Sequence, residues 1–266
     1  MDRLTPKIRH LLLAWLHRTR SGPISFIRQF SYKDIKKATD DFHRIIYSNS
    51  HGSAYRARFK DGNIALVKEV TGLSEGKEIF YKEVQLLGRL HHRHLLALKG
   101  FSTGDKRLLV FDNIENGSLK EHLNDPLRTP LNWKTRLQIA VGVTAALEYL
   151  LFFGGPPVYR VSISSSNIML DENFIAKISD VSLKSSVGTY MKMPSSCSKE
   201  CMDQECGNLI FQLGVVILEL ITGQSSKQED SDLIQWDQGS RLSNSIHKMI
   251  DPDLGNNYDS RELRKL

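Results

Sequence analysis

Ala54-Tyr55-Arg56-Ala57-Arg58-Phe59 and Ile64-Ala65-Leu66-Val67-Lys68, with Asp61-Gly62 between them, read as two strands folded back on each other through a turn. Beyond Lys68 a helix is predicted from about Ser74 to Leu90, with Ile79, Leu86 and Leu90 on one face and Glu83 in the same row. A carboxylate in an apolar stripe needs a partner, because an unpaired charge is costly to bury. Leu108-Leu109-Val110-Phe111 is a short strand of the buried type, and from there helical patterns take over at Leu119 to Leu123, Trp133 to Leu151 and Leu209 to Ile221. The last is apolar on nearly every side, which predicts a helix at the centre of the second half. At ~13 residues, with Gln212 and Glu219 inside, it falls short of the ~20 that span a bilayer. Strands first and helices later make an α+β chain.

The full sequence has 266 residues, with 36 Lys and Arg against 30 Asp and Glu and a formal net charge of +6. At 40% hydrophobic and 25% charged it has the proportions of a globular chain rather than a disordered one. The basic residues are spread along the chain and accompany no nucleic-acid motif, so no nucleic-acid partner is expected. Cys197, Cys201 and Cys206 sit in one short stretch with no histidine between them. That argues against a disulfide framework and a zinc site, and for a reducing, cytoplasmic setting.

Residues 1–29 form a separate basic segment. Thr5 and Pro6 mark a helix start ahead of Ile8, Leu11, Leu12, Trp15 and Leu16, with Arg3, Lys7, Arg9, Arg18 and Arg20 around that stripe. A helix over residues 5–20 suits contact with a membrane surface, hence a peripheral place at the plasma membrane. It equally suits docking on the domain or a frayed terminus. No signal peptide, membrane span or myristoylation signal is visible.

Phe30-Ser31-Tyr32-Lys33-Asp34-Ile35 followed by Ala38-Thr39-Asp40-Asp41-Phe42 resembles the lead-in to the kinase domain of plant receptor-like kinases. His91-His92-Arg93-His94-Leu95, Asn116-Gly117-Ser118-Leu119 and Ser165-Ser166-Asn167-Ile168-Met169-Leu170-Asp171 are similar to further blocks of that family, in its order. The resemblance runs from residue 30 to about residue 260. It implies a two-lobed protein-kinase-like fold, with a strand-rich N-lobe and its lead-in over residues 30–114 and a helical C-lobe over residues 115–266. ATP would lie between the lobes. The C-lobe is expected to lack its last helices, since nothing here corresponds to the family's segments beyond Asp251-Pro252-Asp253-Leu254.

Phosphoryl transfer needs a glycine-rich cover for the phosphates, a lysine held by a glutamate, two magnesium ligands and a base for the acceptor hydroxyl. By resemblance Lys68 is the phosphate-gripping lysine and Glu83 its helix partner, although the same pair could serve only to brace the N-lobe. Asn167 and Asp180 are the magnesium ligands, Asp180 standing in Asp180-Val181-Ser182 where the family has Asp-Phe-Gly; either could instead cap a turn. In the phosphate cover Tyr47 and Asn49 occupy the first two glycine positions and only Gly52 survives. Side chains at those positions are expected to fill space meant for phosphates. Gly52, Lys68, Glu83, Phe111 and Asn113 are the residues expected to face a nucleotide.

The catalytic loop has lost most. Arg160-Val161-Ser162 stands at the family's His-Arg-Asp, so Ser162 takes the place of the base and Ser164 that of the loop lysine. A serine hydroxyl neither accepts a proton at neutral pH nor carries the charge that orients an acceptor. General-base catalysis contributes ~10² to 10⁴ in rate, so an ordinary turnover of ~1 to 100 s⁻¹ falls to ~10⁻⁴ to 1 s⁻¹. Leu209 stands where the family's buried helix has a loop-bracing aspartate, and Gln204-Glu205 stands for its Pro-Glu. The expected function is a catalytically impaired signalling module, a pseudokinase. Weak binding of ATP and magnesium, and contacts with other protein kinases or receptor complexes, follow from the resemblance. Two alternatives stay open: a slow serine/threonine kinase working without a base, and a degraded product with no independent role. The serines and threonines between Asp180 and Cys201, among them Ser185, Ser186, Thr189, Ser195 and Ser196, are candidate phosphate acceptors for another kinase.

Overall fold

The computed structural model describes residues 27–49, 52–70, 77–153, 159–183, 199–225, 249–255 and 257–263. The basic helix expected over residues 5–20 and the candidate acceptors from Ser185 to Ser196 lie outside them. Strands β1 (Arg28–Gln29), β2 (Ile45–Asn49), β3 (Gly52–Arg58), β4 (Ile64–Glu69), β5 (Leu98–Thr103) and β6 (Arg107–Phe111) form one sheet in the order β1-β5-β6-β4-β3-β2. The expected β3–β4 hairpin forms, with Ala54 opposite Lys68 and Arg58 opposite Ile64. Gly62 in its turn has φ +84°, a left-handed conformation that side-chain-bearing residues avoid.

Because side chains alternate across a strand, each face of the sheet has its own cover. Helix α1 (Tyr32–Ala38), from the lead-in, lays Ile35 and Ala38 on Tyr55, Ala57, Ala65, Val67, Leu108 and Val110. Helix α2 (Lys77–Leu87) covers the other face, packing Phe80, Val84 and Leu87 with Ala54, Leu66, Leu109 and Phe111. The chain leaves α1 through three left-handed residues in a row, Asp40, Asp41 and Phe42, with φ of 56°, 55° and 64°. Each costs roughly 1–2 kcal/mol, and local contacts offset that cost. The buried Thr39 hydroxyl donates to Ile35 O (2.9 Å) and accepts from the Phe42 amide (3.2 Å). Phe42 packs edge-on to Tyr55 at 5.1 Å under the Lys106 ammonium.

The second half holds α3 (Leu119–Asn124), α4 (Trp133–Phe153), the short strands β7 (Tyr159–Val161), β8 (Ile168–Leu170), β9 (Ala176–Ile178) and β10 (Val181–Leu183), and α5 (Lys199–Thr222). Ser118 opens α3 with a capping box closed by Glu121. Along α4, Ile139, Val143, Ala146 and Leu150 pack on Ile168, Leu170, Ile178, Val216 and Leu220. Helix α5 differs from expectation at both ends of the argument. It begins well ahead of Leu209, so Gln204-Glu205 lies inside it. Its C-terminal half is central, with Val216, Glu219, Leu220 and Ile221 buried, whereas Ile210 and Phe211 are 64% and 52% exposed. An all-round apolar pattern predicts burial only where neighbours exist on every side.

Arg136, 3% exposed on α4, closes the far end. Its guanidinium donates to Leu131 O (2.7 Å), to Leu220 O of α5 (2.8 Å) and to the Asp251 carboxylate. The Asp251-Pro252-Asp253-Leu254 segment is thereby fastened to both long helices, and Leu254 packs with Trp133 and Ile221. Arg136→Met is expected to lower stability by about 3–5 kcal/mol in urea unfolding, since it leaves the Asp251 carboxylate buried and unpaired. Adding Asp251→Leu is expected to recover part of that loss.

Candidate functional site

Lys68, next to last in β4, lies on the side of the sheet that faces the helical half. Its ammonium donates to the carbonyl of Ser179, at 2.8 Å and 111 residues away in sequence. The rings of Phe111 and Tyr47 flank it, with centroids 5.6 and 6.0 Å from Nζ. Burial pushes the Lys68 ammonium down to about 8, against the opposing pull of the Asp180 carboxylate. Burial, with the Asp180 charge adding to it, drives the Tyr47 phenol up to about 12. Tyr47, Lys68 and Asp180 therefore share one small volume. The expected ion pair is not what holds the lysine: among the described residues its hydrogen bond goes to Ser179 O and not to Glu83. Glu83 is buried on α2, with only 8% exposed and its side chain engaged.

The other expected residues converge from three loops. Asn167, at the end of the turn before β8, donates from Nδ2 to Ser162 Oγ (3.2 Å) and weakly to Asp180 Oδ2 (3.4 Å). The Ser162 amide donates to Asp180 O at 3.1 Å, and the Ser164 carbonyl accepts from the amides of Asn167 and Ile168. Directly after Asp180, Val181 and Ser182 enter β10 and pair antiparallel with Val161 and Arg160 of β7. A β-branched valine suits a strand, so the residues that replace the family's Phe-Gly are held in a ladder. Asn113 turns away from Lys68 to its neighbour, donating to Glu115 Oε1 at 2.6 Å. Phe111 is buried beneath the lysine, at 4% exposure.

At the phosphate-cover position Asn49 of β2 pairs with Gly52 of β3. Gly52 has φ +129°, so the glycine that survives is one whose backbone excludes a side chain. Tyr47, one of the residues that replaced a glycine, places its ring in the cleft with Lys68. Two loop contacts were not foreseen. Gln212 Oε1 accepts from the Ile163 amide at 2.7 Å, one helical turn beyond Leu209, so the catalytic-loop backbone is braced from α5 although the aspartate position is apolar. Ser165 Oγ donates to the buried Glu219 Oε1 at 3.2 Å. The signal for both was a polar residue inside an otherwise apolar helix.

The donor set for a divalent cation amounts to one carboxylate and one amide oxygen, from Asp180 and Asn167; the Asn167 side-chain nitrogen bonds Ser162 Oγ and Asp180 Oδ2. Among the described residues no group of three or more His, Cys, Asp or Glu could hold a metal ion. Oxygen ligands of this kind fit magnesium that brings its remaining ligands as phosphate and water. Cys206 is a free thiol. No helix among the described residues is long and apolar enough to cross a membrane.

A family model described as protein tyrosine and serine/threonine kinase matches residues 42–232. A probable receptor-like protein kinase of Arabidopsis thaliana is 42% identical over 247 residues, covering 86% of this chain and 37% of the relative. A probable LRR receptor-like serine/threonine-protein kinase of the same plant is 34% identical over 266 residues, covering 93% of this chain and 30% of that protein. The chain thus spans about a third of the length of these relatives. The solved pseudokinase domain of BIR2, an immune regulator of the RLK/Pelle family, matches with a TM-score of 0.74 at 27% identity, over 95% of this chain and 82% of that structure.

Two outcomes are expected from this geometry. Gln212→Leu leaves the Ile163 amide without its acceptor and is expected to cost roughly 1–3 kcal/mol, read from the urea midpoint. Lys68 loses protons more readily folded than unfolded, so the unfolded chain binds more protons between about pH 8 and the ordinary lysine value of 10.5. Stability is therefore expected to rise with pH across that window, and this rise is expected to be absent from Lys68→Met.

Proposed function

Because the chain belongs to the protein tyrosine and serine/threonine kinase family, we propose that it is a pseudokinase: a kinase-shaped signalling module that works through protein contacts rather than turnover. The observation that carries this reading is the hydroxyl of Ser162 at the base position, engaged by the Asn167 amide at 3.2 Å. A serine there supplies no proton acceptor and no negative charge, and Ser164 supplies no cation in place of the loop lysine. The remaining groups favour the same reading, since Lys68 is satisfied by Ser179 O and the Tyr47 ring lies beside it where phosphates would enter.

Weak ATP and magnesium binding follows as a proposal from what is kept. Lys68 would meet phosphate oxygens, and Asp180 with Asn167 would hold the metal, once Tyr47 moves aside. Glu83 would brace Lys68 only after a rearrangement that brings the two side chains together. Partners are proposed to be other protein kinases or receptor complexes, in keeping with the receptor-like kinases to which the chain is similar. The proposed setting is the cytoplasm, with residues 5–20 contacting the membrane surface.

A second reading, a slow serine/threonine kinase, is favoured by one observation: Lys68, Asn167 and Asp180 still converge on one volume. Positioning and electrostatics supply much of phosphoryl transfer, so that constellation retains a basis for slow turnover. Radiolabelled phosphate transfer to a generic acceptor protein separates the two. No incorporation above background is expected from the wild-type chain; incorporation abolished by Lys68→Ala or Asp180→Ala overturns the pseudokinase reading.

Thermal unfolding with Mg-ATP tests the cleft itself. A ligand of the native state raises stability by RT ln(1 + [L]/Kd). The wild-type chain is expected to shift little at millimolar Mg-ATP, and Tyr47→Gly is expected to shift more. An equal or smaller shift in Tyr47→Gly removes the ring as the obstacle.

A further inference from the structure

A cavity away from the lobe cleft lies on the outer face of the sheet, lined by the lead-in helix α1 and the β3–β4 turn. It has a volume of about 830 Å³. Binding pockets usually span about 300–1,000 Å³. Its floor is apolar: Ala65 and Val110 from the sheet, and the rings of Phe30 and Phe59, which stack with centroids 5.1 Å apart. Its walls are cationic, with Arg28, Lys37, Arg58 and Lys60 all exposed.

Of the three carboxylates on the rim, one is neutralised: Asp112 is paired with Lys99 at 2.9 Å. Asp61 keeps its charge; the amide and side chain of Asn63 donate to it at 3.0 and 2.7 Å and, with the Arg28 charge adding, hold its carboxyl below the usual range. Asp34 and Asp61 thus stand against Arg28, Lys37, Arg58 and Lys60. Arg28 lies 4.6 Å over the Phe30 ring, and among the described residues Lys37, Arg58 and Lys60 make no ion pair.

We propose that this trough is a docking site for an acidic peptide segment of a partner protein, anchored by an apolar side chain against Phe30, Phe59, Ala65 and Val110 and flanked by carboxylates facing Arg28, Lys37, Arg58 and Lys60. Charge complementarity selects the occupant: four exposed cations around an apolar floor repel a basic peptide and attract an acidic one. The chain's own basic stretch ahead of Arg28, with Arg3, Lys7, Arg9, Arg18 and Arg20, has the wrong sign to fill it. The site is built from the lead-in and the sheet's outer face, so it functions whether or not the cleft holds nucleotide.

The test is a fluorescence-anisotropy titration of the full chain with a fluorescein-labelled decapeptide of glutamates and aspartates carrying one central phenylalanine. Saturable binding is expected at about 50 mM salt, weakening as salt rises because exposed charges are screened. Arg58→Glu with Lys60→Glu, both exposed and unpaired among the described residues, is expected to weaken binding roughly tenfold, since each exposed pair is worth a few tenths to 1 kcal/mol and each reversal also adds repulsion. Lys37→Glu, a single reversal, is expected to weaken it less. Replacing the peptide's phenylalanine with serine weakens it too. Absence of saturable binding to the folded chain, equal binding by the charge-reversed variants, or tighter binding of a matching lysine peptide overturns the proposal.

Discussion

A lysine ammonium brought out of water must be satisfied, and Lys68 is satisfied from the other lobe. Its bond to the Ser179 carbonyl joins the end of β4 to the strand pair that carries Asp180. Around it the sheet supplies Phe111, the neighbouring hairpin supplies Tyr47, and α2 packs against β10. The Ser179 carbonyl and the Ser162 amide are both occupied within the chain.

The loop below that cleft illustrates how a fold tolerates the loss of its chemistry. Leu209 has removed the carboxylate that its family uses to brace the catalytic loop, yet the loop backbone still needs an acceptor for its buried amide. Gln212 supplies one from the next turn of α5. Glu219, buried farther along the same helix, receives the Ser165 hydroxyl. The hydrogen-bonding demands of the loop backbone are thereby met from α5.

The lead-in is part of that shape. Its helix buries Ile35 and Ala38 on the outer face of the sheet, and three left-handed residues deliver Phe42 onto Tyr55. Two members of the Ala38-Thr39-Asp40-Asp41-Phe42 motif carry it: Thr39 caps the strained turn with its hydroxyl, and Phe42 pins the turn down. The same packing leaves the cationic trough at its margin.

The sequence by itself determined the hairpin that carries Lys68, the order of strands and helices and the two-lobed family fold, because these depend on local patterning and on motifs contiguous in the chain. It also marked Glu83, Gln212 and Glu219 as polar residues in apolar helices, without saying what they meet. Only the tertiary structure decided that Lys68 bonds Ser179 O rather than Glu83, that the Tyr47 ring enters the cleft, that Gln212 braces Ile163, that Arg136 clasps Asp251, and that α5 leaves Ile210 and Phe211 exposed. Each of these is a meeting of residues far apart in the chain. Which of several candidate partners a buried polar group meets is set by the packing of whole elements, and no local pattern encodes that choice.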